Sequence, residues 1–162
     1  MPFEVSRLLL RPLLLAPPIF VCHFLEEAPG FVPWFNQHVN RDITSGLFWR
    51  VNLTGLTITL VVVAIEWFSR SSLSATLAIG WLSFLMLANG IFHIVSAIVD
   101  SEYVPGLITA IVLYLPYYFW VVVTAVKSRR IGFLTLFVAS ILGSTPMLIH
   151  GYFILFRGGR LF

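Results

Sequence analysis

Three stretches of this chain, residues 73–99, 105–126 and 131–156, contain no Asp, Glu, Lys or Arg. A helix that crosses the hydrocarbon layer of a bilayer needs about 20 predominantly apolar residues, and each stretch is long enough. Residues 46–68 form a fourth such segment, charged at Arg50 and Glu66, and residues 8–27 a fifth, with Arg11 near its start and Pro17-Pro18 inside. Of the 162 residues, 59% are hydrophobic and 10% charged, against roughly 25% charged in a soluble domain. That leaves too little polar surface for a water-soluble globule. The apolar runs continue to the C-terminus, so a cleaved signal peptide does not account for them.

The expected fold is all-α: a polytopic integral membrane helical bundle of about five transmembrane helices, one domain over residues 1–162. The first helix should kink at Pro17-Pro18, which cannot donate backbone hydrogen bonds. Pro105 suits the first turn of its helix, whereas Pro116 and Pro146 are interior and predict kinks or bends. The one long connection, residues 28–45, holds Phe31, Trp34, Phe35 and His38 and is expected to lie along the membrane interface. A single cysteine, Cys22, excludes an internal disulfide. The net charge of +3 is spread over the loops rather than clustered, which speaks to topology and not to nucleic acid. Arg7, Arg11, Arg70, Lys127, Arg129 and Arg130 fall on one side if five helices alternate, and Arg41, Arg50, Arg157 and Arg160 on the other. The richer side is expected in the cytoplasm, which places the N-terminus there and the chain in the plasma (inner) membrane.

The polar residues inside the apolar segments then meet at one depth. His23, Glu26 and Glu27 end the first segment, Asn89 and His93 lie late in the third, and His150 lies late in the fifth. These three segments run in the same direction. Asn52 in the second segment and Tyr103 and Thr109 around the start of the fourth reach the same side. At ~100° per residue, His23, Glu26 and Glu27 share one face of their helix. An ionised carboxylate in a bilayer costs ~2.5–3.5 kcal/mol on insertion scales, and two adjacent carboxylates repel. A divalent ion offsets both penalties. His23, Glu26, Glu27, His93 and His150 are therefore candidate metal ligands, with zinc or iron favoured over manganese. Glu26, Glu27, Asn89 and Tyr103 are candidate catalytic groups, and Asn52 and Thr109 candidate supports around the ligands.

The string His23-Phe24-Leu25-Glu26-Glu27 resembles the signature of the HXXEE family of small bacterial and fungal membrane proteins. Asn89 with His93, the turn Tyr103-Val104-Pro105-Gly106 followed by Thr109, and His150-Gly151 fit the same pattern, so the likeness runs from about Ile19 to Tyr152. It implies a compact all-helical membrane domain whose site uses these residues, and it supplies no substrate. Adjacent glutamates with histidines on later helices are also similar to the layout of CaaX-type intramembrane proteases. The arginine expected four residues after that pair is replaced here by Phe31.

Blander readings stand beside these. His23, Glu26 and Glu27 could cap a helix at the interface; His93 could be a packed histidine bonded to Ser96; His38, in a loop beside Arg41 and Asp42, reads as a loop residue before it reads as a lid group over the site. Asn52, Thr59 and Glu66 recur every seven residues, which favours interhelical hydrogen bonding, with Glu66 paired to Arg70, over a polar path across the membrane. The leading functional expectation is a membrane enzyme with a His/Glu metal site in one leaflet, acting on an apolar or lipid-like small molecule from the surrounding lipid by hydrolytic or oxidative chemistry. The alternatives are a proton, ion or small-molecule transporter using the same cluster with Glu66, a metal-free acid/base isomerase or cyclase of a lipid alkene, and an accessory subunit with a structural metal.

Overall fold

The computed structural model describes residues 9–159. Arg7 and Arg160, two of the charges behind the orientation expectation, lie outside the described residues, as does residue 8 at the expected start of the first helix. The described chain is helical, with no strand among the described residues: α1 (Leu10–Leu13), α2 (Ala16–Glu27), α3 (Phe31–His38), α4 (Ser45–Ser69), α5 (Ser72–Asp100), α6 (Leu107–Lys127) and α7 (Phe133–Arg157). Four of these, α4 to α7, are long and apolar enough to cross a membrane.

The first segment is a broken helix. The break falls at Leu14–Leu15, just ahead of the proline pair, and Pro17 sits in the first turn of α2. Two consecutive prolines supply no N–H to the carbonyls four residues earlier, so the helix stops upstream and restarts where the missing donors cost nothing. With 12 residues, α2 is only about 18 Å long and cannot cross alone. Together α1 and α2 run antiparallel to α6: the Tyr117 hydroxyl donates to Pro12 O at 2.9 Å near one end, and Thr109 N–H donates to Glu26 Oε2 at 2.7 Å near the other.

The prolines in α6 and α7 are absorbed differently. Pro116 follows directly on a π-helical stretch, Ala110–Tyr114, whose wider turn accommodates the missing donor, while α7 stays continuous through Pro146. A second π-helical stretch, Ser83–Ala88, interrupts α5 just before Asn89. Such bulges shift the facing of everything beyond them and concentrate at functional sites.

α5 is the centre of the bundle, with half of its most apolar window buried; the corresponding shares are 17% for α4 and 11% for α7. The outward faces of α4 and α7 are thus the lipid-facing surface. α7 reaches α5 by backbone contact: a Cβ at Gly143 would stand 2.1 Å from Gly80 O, so only glycine permits this approach. The 28–45 connection is not a simple interfacial loop. It folds into α3, whose buried Trp34 donates from Nε1 to Asp100 Oδ2 at 2.8 Å, while His38 Nε2 meets Asp100 Oδ1 at 3.0 Å. These bonds dock α3 on the end of α5. They also occupy His38, which is not at the His/Glu cluster.

The polar stripe of α4 pairs between helices. Thr59 accepts from Trp81 Nε1 at 3.0 Å. Buried Glu66 accepts from Ser74 Oγ at 2.6 Å and from both terminal nitrogens of Arg130, Nη2 at 2.7 Å. Arg130, not the expected Arg70, is therefore the partner of Glu66. The i+4 residue loses because Arg70 ends α4 in a left-handed conformation (φ 47°), which turns it off the helix face.

Candidate metal centre

His23 and Glu27 are four residues apart in the last turn and a half of α2, so their side chains rise from one face. His93 comes to them from α5, one turn after Asn89. Glu27 Oε1 lies 3.5 Å from His23 Nε2 and 3.2 Å from His93 Nε2. One ligand atom from each of the three residues can be chosen so that all lie within 4.8 Å of one another. His23 and His93 are fully buried, and Glu27 is 5% exposed. The imidazoles meet edge to face, with centroids 4.9 Å apart, and Tyr114 stacks on His23 at 4.1 Å.

Local hydrogen bonds fix which nitrogens face inward. The Thr109 hydroxyl donates to Gly106 O at 3.2 Å, so in its 2.7 Å contact with His23 Nδ1 the ring is the donor. His23 Nε2 then carries the lone pair, aimed at Glu27 and accepting from Asn89 Nδ2 at 3.2 Å. A hydroxyl behind Nδ1 is the arrangement that orients a ligating histidine. His93 is less provided for. Among the described residues neither of its ring nitrogens has a hydrogen-bond partner, although both are buried; the 3.2 Å approach of Nε2 to Glu27 lacks hydrogen-bond alignment. Leaving a buried polar atom unpaired costs about 1–3 kcal/mol. Two imidazoles and one carboxylate, with open sides, fit a divalent zinc, iron or manganese ion by donor type.

The wall opposite α2 is backbone. Gly106 has φ 95°, in the left-handed region. A Cβ there would stand 2.6 Å from His93 Cε1 and 3.0 Å from both Glu27 Cγ and His23 Cε1. Glycine is needed twice over: for the turn and for the space it leaves to all three side chains.

The other expected site residues divide. Glu26 points away from Glu27 and caps α6: it accepts from Ile108 N–H at 3.0 Å, Thr109 N–H at 2.7 Å and the Tyr103 hydroxyl at 2.7 Å. A carboxylate at a helix N-terminus satisfies free N–H groups and the dipole together. Burial and the Glu26 carboxylate push the Tyr103 phenol up to about 12, so it stays a donor. Thr109 supports His23, as described. Asn89 borders the cluster. Asn52 donates to Phe48 O at 3.1 Å and lines a cavity of about 610 Å³ that also borders Glu27, Asn89 and His150. The rest of its lining is almost wholly apolar, including Phe20, Phe48 and Trp81. His150 is exposed and lies outside the three-residue group.

Sequence reasoning passed over Gly106 as a determinant, along with Tyr114 and Arg130. Gly106 had a signal, a Pro-Gly turn between two apolar runs. Tyr114 had none, because its stacking on His23 depends on the π-helical turn. Arg130 looked like an ordinary loop charge.

A family described as "Protein of unknown function with HXXEE motif" matches residues 14–121, more than half of the 162-residue chain. The matched span contains His23, Glu26, Glu27, Asn89, His93, Tyr103 and Thr109 and ends before α7, so it leaves out His150-Gly151. No curated protein and no solved structure matches.

Proposed function

We propose that this chain, which belongs to the HXXEE-motif family, is an integral membrane enzyme: it holds a divalent metal with His23, Glu27 and His93 and acts on a small apolar, lipid-like substrate. The observation that carries this reading is the position of Glu27, which touches both histidines and borders the 610 Å³ cavity. A cavity of roughly 300–1,000 Å³ with an apolar lining and a few convergent polar groups is the usual form of a small-molecule site. When bound, zinc, iron or manganese would supply Lewis acidity for hydrolysis, and iron or manganese also redox capacity for oxidation.

The chain's own residues do the rest. Thr109 holds the His23 tautomer, and Asn89, whose amide is freed from His23 Nε2 when that lone pair goes to a metal, sits where a polar substrate atom would be oriented. Glu27 is the carboxylate within reach of a proton at the cavity edge. Glu26, engaged at the start of α6, keeps α2 and α6 in register. Phe20, Phe48 and Trp81 keep bulk water from the reacting groups. Substrate enters from membrane lipid, since α4 and α7 flank the cavity without packing closely on one another. We place the N-terminus in the cytoplasm and the chain in the plasma (inner) membrane. A proton relay has less support, because Glu66, the group it would need near the opposite face, is saturated by Arg130 and Ser74.

Elemental analysis of protein purified in detergent tests the metal reading. One zinc, iron or manganese per chain is expected, lost in Glu27→Gln and His93→Ala while helical content is kept. Lipid extract incubated with metal-loaded protein should show a changed species that chelator-treated protein does not produce. Turnover that persists in folded, metal-free protein would sink the reading.

A further inference from the structure

His150, exposed on α7, does not belong to the metal cluster. It lines the large cavity and also a second pocket of about 410 Å³, and Phe35 and Ile154 line both as well. The two spaces are therefore adjacent and share Phe35, His150 and Ile154 in their linings. They differ in chemistry: the first is apolar apart from Asn52, Thr54, Glu27, Asn89 and His150, whereas the second is bordered by Asn40, Arg41 and His150, with no acidic residue in its lining.

The second pocket is built rather than incidental. Asn40 gives two hydrogen bonds to Gly158 O at the end of α7, from its backbone N–H at 3.1 Å and from Nδ2 at 2.9 Å. They fasten residues 39–41 over that helix end and neutralise its last carbonyl. Gly159 (φ 73°) lies so close that a Cβ would be 3.2 Å from Val39 Cγ1. Arg41, the exposed next residue, has neither a hydrogen bond nor an ion pair among the described residues. An unpaired guanidinium and an imidazole lining a pocket adjacent to an apolar chamber are complementary to an anion attached to a hydrocarbon.

We infer that the ligand of the chamber is a single-chain anionic amphiphile, a fatty carboxylate or a lysophosphate, with its head at Arg41 and His150 and its chain running through the large cavity past Glu27. The inference rests on the proposed reading of that cavity as a substrate chamber. It goes further in fixing polarity: the reacting part of the ligand lies along the chain and not at the head, because the histidine that greets the head is not one of the three at the metal.

Binding of a brominated fatty carboxylate, read by quenching of Trp81 and the other tryptophans in detergent-solubilised full-length protein, tests it. The comparisons are the fatty alcohol of equal length and inorganic phosphate alone. The carboxylate should bind at least about tenfold more tightly than the alcohol, the usual worth of one charge-assisted bond. Arg41→Gln and His150→Gln should each remove most of that preference while alcohol binding changes less than about twofold. Asn52→Trp, which fills the cavity, should abolish binding of both chains. Equal binding of carboxylate and alcohol, or a preference unaltered by Arg41→Gln, overturns the head-group assignment. Saturable phosphate binding that competes with no chain also overturns it, leaving only a small-anion site. Metal content, measured on the same samples, keeps the two readings apart. Stoichiometric metal with no head-group preference refutes this inference alone, whereas a preference without metal refutes the metal enzyme alone.

Discussion

Two buried ionic groups lie toward opposite ends of the same bundle, and they are finished to different degrees. At one end, Glu66 is fully buried and both of its oxygens are engaged: Arg130 grips both, and Ser74 adds a third bond. Arg130 also donates to Ser71 O at 2.6 Å. At the other end, Glu27 faces two buried imidazoles, one of which, His93, approaches Glu27 at 3.2 Å but has no aligned hydrogen bond on either nitrogen among the described residues. A charge inside a membrane helix costs several kcal/mol at both ends. Its presence alone therefore does not separate a structural ion pair from a site. Completeness does: the first group is satisfied by the chain itself, and the second leaves both His93 nitrogens without an aligned partner among the described residues.

This contrast can be broken by substitution, and the largest effect should come at the finished end. Arg130→Ala leaves Glu66 buried without its cation and should destabilise the bundle by about 3–5 kcal/mol, read by thermal unfolding in detergent. Replacing both partners with apolar residues of similar volume should restore much of the loss; failure to do so would mean the pair is not a self-contained structural unit. At the unfinished end, Glu27→Gln should leave the unfolding midpoint of metal-free protein nearly unchanged, because there is no complete pair to break. Between these lies Gly106→Ala. Its Cβ meets all three cluster residues and its φ is left-handed, so about 1–3 kcal/mol of strain is expected, together with loss of metal.

A smaller change sharpens the picture of the site. Thr109→Val removes the oxygen behind His23 Nδ1 and should weaken metal affinity about 10–100-fold, measured by competition with a chelator. The smallest effect concerns His38, away from both groups. Burial lowers its affinity for a proton, but its bonds to Trp34 O and Asp100 outweigh that, and its pKa is raised above the usual 6.5. A group with a raised folded-state pKa stabilises fully below its unfolded value and loses that contribution as pH rises through the folded value. The docking of α3 should therefore weaken above neutral pH, by about 2 °C in unfolding midpoint at most, and His38→Gln should remove the pH dependence. A wild-type midpoint that rises with pH in this range, relative to His38→Gln, would contradict the sign.

Much of the fold was written in hydrophobic length. The four long helices are continuous apolar runs, and no tertiary information is needed to see them. The first segment was readable as bent, but the break moved upstream because the two prolines act together on the carbonyls before them. The 28–45 connection was read only as an interfacial stretch, without its helix or its docking: Trp34 and His38 find Asp100 far along the chain, and no local pattern announces a long-range partner. At the site, convergence of His23, Glu27 and His93 followed from depth and direction alone. The different employment of Glu26 and Glu27 did not, since one residue of helix rotation separates a ligand from a cap and only the position of α6 decides which is which. His150 lines the same cavity as Glu27 without joining the three-residue group, and depth was the only coordinate the sequence supplied.

The two widened turns, Ser83–Ala88 and Ala110–Tyr114, carry a consequence for how such a chain can vary. Each holds one residue more than regular α-winding would use. Removing a single residue from either would keep hydrophobic thickness and membrane insertion intact, yet swing His93 or Tyr114 by about 100° out of register with α2. The bundle should tolerate many exchanges of one oily side chain for another along these helices, and almost no change in their count.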